Sequence, residues 1–433
     1  MALGDLNLKA TPDARPQASA AVVVRAFDSD LATSLGDDLI LWGDAATAGG
    51  QTLAHRPEYA RFHMDRPEVP RNVPGYWINV DGHRQAVLLP KRLPVGRTVE
   101  RLAGGMTGYW LAGNSLIGST EQSAVETVVS TCENLCRNEQ VAGLLIEDVD
   151  EAGPFDVACR ALARNGWRLF TPTGWQARWR IEMPATEEAY WSKFNSKRRG
   201  NLRRQQRKLG GEVRRFTAES EVDEFVELAH IVSRKTWQTQ SIGLRVGATD
   251  FERRMYRLAA RENSLRCYVL IKEGQPISFA IGLQSPMRYS LEEIGYDPAF
   301  AEWSPGMTLL CHVLDDLFKE RTPPLFDFGG GDAAYKQTLA NQSGRSATLW
   351  LIAPGGRRRV AMRAFELIRK AKTWMRQAVG EVGLKGQLRR LTRRGVTTLV
   401  TPSTQPTGPA SHQETAAVPP SNPSEHHEPG ETS

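Results

Sequence analysis

No stretch of this 433-residue chain approaches 18 consecutive apolar residues, and mean hydropathy is −0.41, so no segment reads as a membrane-spanning helix. Residues 1–20 lack a basic head followed by an apolar run, and no secretory signal is expected. Cysteine is scarce. Cys132, Cys136, Cys159, Cys267 and Cys311 form no C-x-x-C pair, and their odd number argues against a disulfide framework. H-E-x-x-H, G-x-x-x-x-G-K-[ST] and G-x-S-x-G are all absent, which removes the usual signatures of zinc peptidases, P-loop NTPases and nucleophile-elbow hydrolases. These absences lead to the expectation of a reduced, cytoplasmic protein without a metal.

What is present is unevenly charged. Residues 193–215 hold ten Lys/Arg and one acid, and residues 357–394 hold thirteen Lys/Arg and two acids. The net +6 therefore belongs to two segments rather than to the whole surface, which points to local anion-facing elements and away from general DNA coating. Residues 401–433 carry seven prolines, no aromatic and Val418 as their one large aliphatic, so they are expected to be disordered, as are residues 1–20. In the 357–394 segment Val360, Ala364, Leu367, Ile368, Ala371, Trp374, Met375, Ala378 and Val382 share one helical side, with Met362 and Phe365 as exceptions. Such a helix fits either an anionic membrane surface or docking on the preceding domain.

Between these ends two tandem α/β units with mixed, mostly antiparallel sheets are expected, at 21–175 and 176–353. Asp81-Gly82 joins two strand-like runs in the first unit, and Glu273-Gly274 does so in the second. Helices are read at Thr186–Leu209 and Ser220–Thr239, with the basic run extending along a helix to Arg215. A strand from Arg288 to Tyr296 then precedes a helix from Pro305 to Lys319, and Leu325–Phe328 reads as the final strand.

Two motifs carry chemistry. In Ser304-Pro305-Gly306-Met307-Thr308, Ser304 sits where an N-cap belongs and Pro305 at the first helical position. The amides of Gly306, Met307 and Thr308 would then point out of the helix start, where Gly306 lets an anion such as a phosphate approach; an ordinary capped helix is the alternative. In Phe326-Asp327-Phe328-Gly329-Gly330-Gly331-Asp332 a strand runs into three glycines, and Lys336 follows, placed to meet an anion or to pair with Asp332.

Residues 176–353 resemble the GNAT-like acyltransferases associated with bacterial cellulose and exopolysaccharide synthesis, relatives of the Fem-type aminoacyl transferases. The likeness rests on Tyr190…Phe194 with Ser196-Lys197-Arg198-Arg199…Leu202-Arg203-Arg204, on Tyr296-Asp297-Pro298…Ser304-Pro305-Gly306, and on the glycine run with Tyr335-Lys336. It implies acyl transfer from acetyl-CoA or another acyl-CoA, whose pyrophosphate lies on the helix starting at Ser304. The common Arg/Gln-x-x-Gly-x-Gly/Ala signature is absent, and the Fem-type relatives imply an aminoacyl-tRNA donor as the alternative. The implied acceptor is a small molecule or glycan, such as an amino sugar or another cell-envelope precursor. A non-catalytic scaffold for polysaccharide synthesis is the reading from a different class.

Acylation of an amine needs a group to take its proton. Strand alternation puts Glu292 and Tyr296 on one face and Glu293 on the other, so Glu292 is a candidate base and Tyr296 a candidate donor to the leaving thiolate. A salt bridge from the carboxylates to Arg266 or Arg288 is the structural alternative. The Cys132/Cys136 pair reads as helix packing, and His230 as a structural or groove-lining histidine, with a catalytic base as the alternative.

Overall fold

The computed structural model describes residues 22–48, 51–96, 99–101, 106–236, 239 and 243–381. The expected disorder of residues 1–20 and 401–433, and the basic segment beyond residue 381, lie outside the described residues. In chain order the strands are β1 (Val22–Phe27), β2 (Gly75–Val80), β3 (Arg84–Arg92), β4 (Thr107–Leu111), β5 (Gly143–Asp150), β6 (Arg168–Phe170) and β7 (Gln176–Glu182). They continue as β8 (Glu212–Phe216), β9 (Cys267–Lys272), β10 (Gln275–Gln284), β11 (Arg288–Tyr296), β12 (Leu325–Gly330) and β13 (Gln342–Ile352). The described α-helices of the first half are α1 (Leu31–Leu35), α2 (Asp37–Ala48), α3 (Pro57–Met64), α4 (Gln122–Asn138) and α5 (Pro154–Ala163). Those of the second are α6 (Glu187–Trp191), α7 (Ser196–Leu209), α8 (Val222–Lys235), α9 (Asp250–Arg261), α10 (Pro305–Lys319), α11 (Ala334–Leu339) and α12 (Gly356–Glu381).

The protein is α/β, with a mixed and largely antiparallel sheet. The two units do not keep separate sheets. One sheet runs β1-β2-β3-β4-β5-β13-β7-β12-β11-β10-β9-β8, with β6 pairing β13 at the side. The joint is β13, whose residues Ser346–Ile352 pair with β5 and Gln342–Ser346 with β7. The division expected at 175/176 thus falls within one sheet, and the described residues up to Leu367 form one compact unit. Ala347, Leu349 and Leu351 of β13 complete the first half's core, beside Ile146, Val128 and Cys159.

Local chemistry explains most elements. Glu273 and Gly274 have φ of 51° and 76°, the pair of left-handed residues that a two-residue hairpin turn of right-handed strands needs, while Asp81 and Gly82, at 57° and 79°, open the three-residue loop between Val80 and Arg84. The expected Thr186–Leu209 helix breaks in two, because Asn195 takes an extended conformation and its side chain accepts the Arg198 amide at 2.8 Å, starting α7. The basic run does not stay helical to Arg215. Gly210 and Gly211, at φ 62° and 93°, stop α7, and Glu212–Phe216 turns back as β8 on β9. On α10, Leu309, Leu310, Val313, Leu314 and Leu317 are all fully buried against Tyr268, Leu270 and Phe326 of the sheet. At roughly 1.5–3 kcal/mol for each such side chain, this face fixes where the helix starts.

The packing reading holds for Cys132 and Cys136, buried on α4, and the structural reading for His230, whose Nδ1 lies 2.7 Å from the Val246 carbonyl. No helix of the described residues is long and apolar enough to cross a membrane.

Candidate active site

The site begins where two parallel strands part. β11 and β12 pair only at Arg288↔Leu325, Tyr289↔Phe326 and Ser290↔Asp327. Beyond that point β11 continues to Tyr296 and β12 to Gly330 without meeting, and a wedge opens between them. Two features force the separation. On one side, the ladder with β10 passes from Gly282↔Leu291 to Ile281↔Glu293, so Glu292 is the extra residue of a β-bulge, which bends the strand. On the other, Gly329 and Gly331 have φ of 68° and 91° and turn the chain away. The bulge also breaks the alternation that was expected to set Glu292 and Tyr296 on one face.

The wedge opens into a cavity of about 1320 Å³, lined by both halves of the chain. This exceeds the roughly 300–1,000 Å³ of a pocket for one small ligand, leaving room for two reactants. Tyr59, Trp110, Glu147 and Asp148 come from the first half, facing Glu292 and the glycine run from the second. Tyr59 meets Trp110 edge-on, with ring centroids 6.1 Å apart.

Of the residues read from sequence, Glu292, Tyr296, Ser304, Gly306, Met307 and Lys336 all line this cavity. Glu292 has no hydrogen bond or ion pair among the described residues. Glu292 is itself exposed to the cavity, and it is desolvation by the protein around the cavity that pushes its carboxyl up to about 7, with Arg288 opposing and Asp148, Asp327 and Glu147 reinforcing the rise. Neither expected salt bridge forms: Arg266 binds Asp316, and Glu293 takes Arg245.

At the helix start the expectation needs two corrections. Ser304 occupies the N-cap position in a left-handed conformation, φ 51° and ψ 54°, and its side chain caps nothing. Thr308 is buried, and its amide donates to the Ser304 carbonyl at 3.0 Å, so it offers nothing to a ligand. The Gly306 and Met307 amides find no acceptor among the described residues, as the first turn of a helix requires. Lys336 also departs from expectation. It does not pair with Asp332, which instead accepts from Trp179 Nε1 at 3.0 Å and Gln337 Nε2 at 2.7 Å. The Lys336 ammonium is buried and donates to the Gly330 carbonyl at 2.9 Å and the Gly329 carbonyl at 3.4 Å, so it braces the glycine turn. Burial lowers its pKa, opposed by Asp327 and Asp148.

Sequence reasoning missed the ion pair beneath the wedge. Arg178 and Asp327 are 4% and 2% exposed, and Arg178 Nε reaches Asp327 Oδ1 at 3.3 Å. Arg178 Nη1 donates to the Asp148 carbonyl at 2.6 Å, and Asp327 Oδ1 accepts the Gly329 amide at 2.9 Å. Burial would raise the Asp327 carboxyl, but the charge and hydrogen bonds of Arg178 outweigh it and hold it below the usual range. The signal was present in the quoted Asp327 and in Arg178 on a strand, but their separation of 149 residues hid it.

The first half contains the same parallel pairing, Tyr109↔Leu144 and Trp110↔Leu145, between β4 and β5. There the gap is bridged. Asn114 Oδ1 accepts from Trp110 Nε1 at 3.2 Å and from the Glu147 amide at 3.1 Å. The helix that follows, α4, starts behind Glu121, an acid that pairs with Arg84 at 2.8 Å. Among the described residues, only the second half offers an open wedge beside free helix-start amides.

Residues 196–337, which include the wedge, the glycine run and α10, match the acetyltransferase (GNAT) domain family. The chain therefore carries an acyltransferase domain of the GNAT class. Among solved structures it is similar to FemX, at 12% identity over 72% of this chain and 98% of that one, with a TM-score of 0.48. It is also similar to the C-terminal (DUF2156) domain of a putative lysylphosphatidylglycerol synthetase from Agrobacterium fabrum, at 14% identity over 76% and 96% with a TM-score of 0.45. A tandem GNAT protein from the clavulanic acid biosynthesis pathway aligns at 12% identity over 78% and 100%, with a TM-score of 0.42. No curated protein sequence matches the chain.

Proposed function

We propose that the protein transfers an acyl group from acyl-CoA to the amine of an amino sugar or another precursor of the cell envelope or an exopolysaccharide, at the cytoplasmic side of the membrane. The observation that carries this reading is the loss of β11–β12 pairing beyond Ser290 and Asp327, beside a helix start with two free amides. The donor's pyrophosphate lies against Gly306 and Met307, and its extended arm runs along the unpaired edge of β11. The amine attacks the thioester carbonyl, the C–N bond forms and the C–S bond breaks. Glu292 takes the proton from the amine, and Tyr296 supplies one to the departing thiolate.

A second reading has an observation of its own. Lys197, Arg203, Arg204, Arg207 and Lys208 on α7 are exposed and lack ion pairs among the described residues, as a nucleic-acid backbone would require. Under it the donor is an aminoacyl-tRNA. Calorimetric titration with acetyl-CoA, longer acyl-CoAs and CoA separates the two. Micromolar binding of a CoA species supports the first reading. No binding of any CoA species, with binding of aminoacyl-tRNA, overturns it in favour of the second.

A further inference from the structure

The apolar face of α12 is divided. Ala361 and Met362 are buried, and the Phe365 ring lies 5.5 Å from both Trp350 and Phe170, so this side docks on the preceding fold. These include the two residues that looked like exceptions in the sequence pattern. Two large apolar groups are left in solvent, Val360 at 58% exposed and Leu367 at 67%. They lie seven residues apart with Ala364 between them, and so form one stripe along the helix. Arg359 and Arg363 run along one flank of that stripe, and Arg357 lies on the other. These three cations are exposed and have no ion pair among the described residues.

We infer that the outward face of α12 binds the surface of an anionic lipid bilayer. The proposal is independent of the acyl-transfer reading. Charge complementarity selects the partner. An apolar protein groove would cover the Val360–Leu367 stripe but leave the flanking guanidinium groups unpaired. A bilayer interface takes both: valine and leucine enter the acyl boundary while the arginines reach the phosphates. A nucleic acid would satisfy the cations and leave the aliphatic stripe in water.

Flotation of the full-length protein with vesicles tests this directly. Vesicles of phosphatidylcholine with phosphatidylglycerol should carry the protein upward, and vesicles of phosphatidylcholine alone should not. Raising the salt should release it, because the attraction is screened. Val360→Glu with Leu367→Glu should abolish flotation, and since both side chains are exposed the melting temperature should stay within error. Arg359→Gln with Arg363→Gln should lower partitioning about 25-fold, from about fivefold for each cation near the surface. Equal flotation with both lipids, flotation with neither, or unchanged flotation of both double variants would each overturn the proposal.

Discussion

Replacing Glu292 by glutamine separates chemistry from stability in one experiment. The carboxyl is unpaired, faces the cavity and is raised to about 7 by the protein enclosing that cavity, so half of it is ionised close to neutral pH. A general base of this kind gives kcat/KM an acid limb: activity falls about tenfold per pH unit below the midpoint near 7 and is level above it. Glu292→Gln should remove that limb and lower kcat by about 10²–10⁴-fold, the range for losing a general base, with donor affinity unchanged. Stability should move the other way. A carboxyl whose pKa rises on folding binds its proton more tightly in the native state, so stability falls as pH climbs from the unfolded value of 4.5 to about 7 and is level thereafter. The full shift would correspond to ~3 kcal/mol, and water in the open cavity reduces this to about 1 kcal/mol. The glutamine variant should therefore match wild type in urea unfolding below pH 4.5 and exceed it by about 1 kcal/mol at pH 8. The assay is thiol release from acetyl-CoA with an amino-sugar acceptor, across pH 5–9, beside the unfolding series. A wild-type profile flat through 7, or a glutamine variant with near-normal kcat, would refute the assignment of Glu292 as base.

A Cβ at Gly306 would lie 3.5 Å from Tyr296 Cδ1 and 3.7 Å from Ile294 Cδ1, ordinary contact, so Gly306→Ala should fold normally. Gly306→Val should weaken donor binding at least tenfold in calorimetry with little change in melting temperature; unchanged affinity would move the phosphates elsewhere. Asp327→Ala leaves Arg178 buried without its partner and should cost about 3–5 kcal/mol in urea unfolding, part of which Arg178→Met should restore in the double variant. Lys336→Ala frees the glycine turn and should cost about 1 kcal/mol and weaken substrate binding; full affinity in the variant would show that the turn needs no brace.

What could be read in the sequence was local. The Asp81-Gly82 and Glu273-Gly274 turns carry their own backbone preference, and Ser304-Pro305-Gly306 marks a helix start whatever surrounds it. That made the wedge side of the site legible, including Glu292 and the glycine run. The unread parts depend on partners far along the chain. β13 was missed because its outer half, Gln342 to Arg345, is polar and exposed, and only the inserted part from Ser346 is buried. β8 was missed because Arg214 and Arg215 continue a basic run; they turn out to serve Glu224 and Asp316 in ion pairs. The bulge at Glu292 has no signature in its own residues, since it arises from the register against β10. The first-half wall of the cavity, Tyr59, Trp110, Glu147 and Asp148, was invisible for the same reason: only the shared sheet brings it across.

The insertion of β13 between β5 and β7 sets a timetable for synthesis. When β5 leaves the ribosome its outer edge has no neighbour, and the strand that will cover it ends at Ile352. At about 5–20 residues per second, the 202 residues between Asp150 and Ile352 take roughly 10–40 s to emerge. Throughout that interval the nascent chain carries an open strand edge over a core still lacking Leu349 and Leu351. A product halted near residue 175 would keep that edge permanently, so the early half depends on the last strand of the late half for its solubility as well as its stability.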